Sequence, residues 1–64
     1  MNDYIRPYVP GSVTPKGFVV ICVPGMKPAE VSDALASKLT KMIVSKEIER
    51  AQTLLQWFGG EPNA

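Results

Sequence analysis

Side chains that can do covalent or acid–base chemistry are scarce in this chain. Cys22 is the single cysteine and there is no histidine. That leaves no ordinary general acid or base at neutral pH and no triad of the usual kind. It also rules out an intramolecular disulfide and argues against a structural zinc site. Cys22 lies in an apolar run, where an inert buried thiol is the usual outcome. Glu30, Asp33, Glu47, Glu49 and Glu61 fall at expected helix starts, on polar faces or in the tail, so they read as solvated rather than paired in a cleft. The chain therefore reads as non-enzymatic, without a cofactor or a metal.

Binding is the chemistry that remains. The turn at residues 24–28 (PGMKP) joins an expected strand to an expected helix N-terminus. Backbone donors of Gly25 and Met26, the helix dipole and the Lys27 ammonium can together hold an anion or a phosphate there. With one glycine, and with Pro28 removing a donor, the pattern matches no phosphate-loop fingerprint, and a plain tight turn is the competing reading. In the N-terminal stretch Arg6 stands between Tyr4 and Tyr8, a grouping that can stack on a base or on a partner's ring. Trp57, beside Phe58 and off the main apolar stripe, is a further candidate partner contact. Lys38, Lys41, Lys46, Glu47, Glu49 and Arg50 read as solvated surface.

The scaffold around these residues can be read from pattern. Residues 1–16 hold Pro7, Pro10, Gly11 and Pro15 and read as an extended arm. Residues 18–23 (FVVICV) predict a β-strand whose two faces are both apolar, so that it asks for cover on both sides and for a pairing partner. No second strand of comparable strength succeeds it, which leaves the arm or the same strand of another copy to pair with it. Pro28 suits the first position of a helix, and Glu30 and Asp33 suit its early turns. From there to Phe58 the chain is helix-prone, ended by Gly59 and Gly60. Two apolar stripes run through this region. One is Val31, Leu35, Leu39 and Met42; the other is Val44, Ile48, Ala51, Leu55 and Phe58. They lie on nearly opposite sides of a continuous helix. A break near residues 43–45, with Ser45 as N-cap of the second helix, turns both toward one core. The expectation is two helices, about 28–43 and 46–58, with one continuous helix as the alternative. The expected fold is α+β: an arm (1–16), a strand–helix–helix domain (17–60) and a tail (61–64).

A chain of 64 residues makes at most one domain, and at this size only about 60% of the unfolded chain's surface is buried. With an intramolecular disulfide excluded and a structural zinc site disfavoured, a homo-oligomer is expected. The formal net charge of +1 leaves no strong footprint for nucleic acid or for an anionic membrane. The longest apolar run is far below the ~20 residues of a membrane span. No targeting signal is evident, and a free cysteine suits a reducing compartment, so the expected location is cytoplasmic, or the host cytoplasm for a viral protein.

A strand, then a helix, a turn and a second helix, with residues 45–51 (SKEIERA) opening the second helix, resembles the ribbon-helix-helix repressors and antitoxins. That resemblance implies an intertwined dimer whose paired strands enter the DNA major groove. The strand here lacks polar residues to read base edges, and the net charge is nearly neutral. The first expectation is therefore a small oligomeric binding protein, similar in size and apolar arm to phage accessory proteins. It would inhibit or sequester a partner, either a protein or an anionic small ligand such as a nucleotide. The ribbon-helix-helix repressor is the second expectation.

Overall fold

A computed structural model of the chain describes residues 5–63. Tyr4, a candidate partner contact, lies outside them. Strands Ile5–Arg6 (β1), Phe18–Ile21 (β2) and Ala29–Ser32 (β3) precede helices Asp33–Val44 (α1) and Ile48–Trp57 (α2). The fold is α+β: an open, three-stranded antiparallel sheet in the order β1-β3-β2, with two helices.

The expected single strand thus has a partner in its own chain. β2 pairs with β3, Val19 opposite Val31 and Ile21 opposite Ala29. This corrects two expectations: the first helix does not begin at 28, and the strand's partner is residues 29–32 rather than the arm or another copy, the arm strand β1 pairing with β3 instead. Residues 29–32 alternate: Ala29 and Val31 enter the core, while Glu30 and Ser32 face the other way. That two-residue period is a strand signal, and Pro28 in front of it is tolerated because proline fits the first residue of a strand. The helix starts one cap later. The Ser32 hydroxyl accepts from Leu35 N–H at 3.3 Å, and Asp33 occupies the first turn, where the dipole favours a carboxylate.

β2 itself ends at Ile21, not at residue 23, and it is not covered on both faces. Ile21 and Val23 are buried, while Val19, Val20 and Cys22 are exposed. The inert buried thiol expected at Cys22 is accordingly corrected. The core consists of Ile21, Val23, Met26, Ala29 and Val31 from the sheet side, Leu35 and Leu39 from α1, and Ala51 and Leu55 from α2.

On the opposite face of the sheet, Arg6, Glu30 and Val20 lie in one cross-strand row. Glu30 is 3% exposed. The Arg6 guanidinium is 5.8 Å from the centre of the Phe18 ring. Arg6 belongs to β1 and Phe18 to β2, so this side chain spans β3 and helps to cover Glu30.

The helical region breaks where the two stripes change sides. α1 ends in a six-to-one cap: Glu47 N–H donates to the Met42 carbonyl at 2.8 Å and Lys46 N–H to that of Ile43 at 3.0 Å. The left-handed residue that this cap needs is Lys46, at φ 63°. Ser45 is the C-cap of α1 rather than the N-cap of α2, a role that falls to Glu47 without a side-chain bond. Val44, assigned to the second stripe, is 76% exposed because it sits in the last turn before the reversal.

α2 ends in the same kind of cap. Gly60 N–H donates to the Leu55 carbonyl at 2.8 Å and Gly59 N–H to that of Gln56 at 3.0 Å, with Gly59 at φ 101°. The reversal sends the tail back along the turn before β3. Lys27 N–H donates to the Glu61 carbonyl at 2.9 Å and Asn63 N–H to that of Gly25 at 3.0 Å, flanking a Met26–Pro62 bridge. Among the described residues no helix is long and apolar enough to cross a membrane.

Candidate functional site

Three segments far apart in sequence converge on one cleft of about 320 Å³. The exit of β1 supplies Arg6, Pro7 and Tyr8. The entry to β3 supplies Lys27, Pro28 and Ala29. The stretch after α2 supplies Gly59, Gly60 and Glu61, with Ile5 also lining the cleft. The ladder explains the first two. Arg6 opposes Glu30, so the chain beyond Arg6 continues alongside Ala29 and Pro28. The third comes from the cap of α2, which reverses the chain, and from the Glu61 carbonyl, which the Lys27 amide holds.

The turn before β3 is fixed from two further sides. Met26 N–H donates to the Val23 carbonyl at 2.9 Å, the bond of a tight turn with Pro24 and Gly25 at its centre and Gly25 at φ 82°. Gln52 of α2 donates its Nε2 to the Pro24 carbonyl at 2.6 Å. Lys27 is therefore carried on a braced backbone, while its side chain is exposed.

Lys27 brings a cation to the cleft and Glu61 a carboxylate, while Arg6 lines it with its guanidinium turned across β3 toward Phe18. Among the described residues the one ion pair is Arg50–Glu47, at 2.6 Å and away from this cleft. Arg6 and Lys27 thus have no ionic partner among the described residues. A guanidinium offers a planar fork that suits carboxylate and phosphate, an ammonium adds a point charge, and the Tyr8 phenol both donates and accepts. Among the described residues no group of three or more histidine, cysteine, aspartate or glutamate side chains is placed to hold a metal ion.

The site residues read from sequence are thus divided. Arg6, Tyr8 and Lys27, which the sequence put in two separate candidate sites, line the same cleft. Gly25 and Met26 do not join them. The turn leads into a strand rather than a helix, so the helix dipole invoked for an anion is absent from it. The Met26 and Lys27 amides are already bonded, and Met26 is a core residue at 4% exposure. Glu61 and the paired glycines were missed because they read as a terminator. The signal available was that a glycine-ended helix folds its tail back onto its own domain.

Trp57 sits elsewhere, 83% exposed on α2. It borders an open groove of about 430 Å³ with Met42, Glu49, Arg50, Thr53 and Leu54. Leu54 also lines a smaller hollow with Ala34, Leu35, Lys38 and Phe58.

The fold is that of a small α+β protein, and the cleft is a surface site lined by Arg6, Tyr8, Lys27 and Glu61 among others. No family model matches the chain, and neither a curated protein nor a solved structure matches it.

Proposed function

We propose that this chain is a small non-enzymatic binding protein that captures an anionic group, a carboxylate or phosphate, in the cleft between Arg6, Tyr8 and Lys27. Holding that group, it sequesters the molecule that carries it or keeps it from its usual target. The observation that supports this reading is the meeting of the Arg6–Tyr8 segment with Lys27 in one cleft, with neither cation ion-paired among the described residues and Arg6 able to swing from Phe18 onto a bound anion. The cleft volume is at the low end of the range for ligand sites. That favours a compact ligand such as a nucleoside monophosphate over an extended chain. Glu61 on the rim suits a ligand that presents a hydroxyl or amino donor beside its anion.

The test is a titration monitored by heteronuclear NMR, with adenosine monophosphate and inorganic phosphate as separate probes. Saturable shifts at Arg6, Tyr8, Lys27 and Gly60, weakened at least tenfold in Lys27→Gln and Arg6→Gln, are expected. Absence of saturable shifts with either probe, or equal affinity in the two variants, overturns the proposal.

A further inference from the structure

The two edges of the sheet are not alike. Asp33 N–H donates to the Gly17 carbonyl at 3.1 Å, just beyond the last β2–β3 pair. In an antiparallel ladder the bonding direction alternates along each strand. Gly17, Val19 and Ile21 therefore bond toward β3, and Phe18, Val20 and Cys22 turn their backbone groups outward. By the same alternation Arg6 bonds inward from β1, and Pro7 falls on the outer side, where it presents no donor. The β1 edge is thus blunted by a proline and by its shortness, with just two residues in the strand. The β2 edge is longer, and residues 17–23 hold no charged residue and no proline. Its flanking side chains are apolar and accessible, Val20 at 40%. An edge in that state is a template for another strand.

We infer that the occupant is β2 of a second copy, paired antiparallel about a two-fold axis at Val20. The axis of such a pair passes between a residue and its own counterpart. Among the outward residues, Phe18 has already spent its N–H on the Pro15 carbonyl, at 3.0 Å. A pair centred on Val20 fits that occupancy. Each Val20 N–H meets the other copy's Val20 carbonyl, and each Cys22 N–H meets the opposite Phe18 carbonyl. The Phe18 amide, lying outermost, stays in its own turn. Side chains in contact are Val20 with Val20 and Phe18 with Cys22, and no like charges are brought together, as a self-complementary contact requires. The result is a continuous six-stranded sheet with both anion clefts at its far ends, so this pairing is independent of what the clefts bind.

The test is mass by light scattering across micromolar to millimolar concentration, with variants that act on the edge alone. Val20→Pro removes an outward donor, and Val20→Lys puts a charge on the edge, opposite Glu30 of its own chain. Both leave the β2–β3 bonds in place, which circular dichroism checks. A doubled mass for the parent chain and a single mass for both folded variants are expected. Val20→Cys in a Cys22→Ser background is expected to give an oxidised dimer, since the thiols are directly opposed. A parent chain that stays single throughout, folded variants that dimerise like the parent, or no cross-link under full oxidation, overturns the inference.

Discussion

The Gln52 side-chain amide and Gly25 occupy adjoining space: Gln52 Nε2 bonds the Pro24 carbonyl at 2.6 Å and lies 2.6 Å from where a Cβ on Gly25 would stand. The turn before β3 and the middle of α2 are thereby locked to each other. A side chain at residue 25 would meet a left-handed backbone and displace the amide that braces the turn. Gly25→Ala is expected to cost about 2–3 kcal/mol, from backbone strain and the lost hydrogen bond together. Gln52→Ala alone should cost about 1 kcal/mol. Urea denaturation of both variants and of the double variant checks this; the double should cost less than the sum, because one bond is lost in both.

Lys46 holds the left-handed position between the helices. A side chain there carries a steric cost that glycine lacks. Lys46→Gly is expected to raise stability by about 0.5–1.5 kcal/mol, read from the denaturation midpoint. Ser45→Gly, one residue earlier at φ −80°, should give no such gain.

At Gly60 the chain passes directly against Leu55. A Cβ there would clash with Leu55 Cγ and come within 2.9 Å of the Leu55 carbonyl oxygen. Leu55 is fully buried and its carbonyl is bonded to the Gly60 amide, so neither can yield freely. Gly60→Ala is expected to destabilise by about 1–3 kcal/mol, as overpacking does, with the fall in Tm as the readout.

Ser32 closes the strand and opens the helix in one residue. Ser32→Ala should cost about 1 kcal/mol, and Ser32→Asp should retain most of it because a carboxylate also accepts from the Leu35 amide. Chemical denaturation of the three proteins distinguishes loss of the cap from loss of packing.

Sequence alone made residues 18–21 legible as a strand, since valine and isoleucine between turn residues have few other readings. The break between the helices was legible as well, from the reversal of the apolar stripe, although no glycine marked it; the chain accepts a strained lysine instead. β3 was not legible as a strand because Pro28, Glu30 and Asp33 imitate the opening of a helix. The short alternation in AEVS decided otherwise once Val31 had Val19 to pack against. The cleft was half legible: residue types pointed to Arg6, Tyr8 and Lys27, but not to their meeting. That meeting depends on a sheet order that places β3 between the two earlier strands, and on a helix cap that returns the tail; neither is encoded locally.

The order β1-β3-β2 also dictates a sequence of events. β2, β3, α1 and α2 succeed one another along the chain and join through short connections, so they close cheaply and early. β1 must span the whole of the first hairpin to reach β3 and is held there by just two residue pairs. It is therefore expected to dock last and leave first, and the Arg6 amide in β1 should exchange with solvent well before those of the helices.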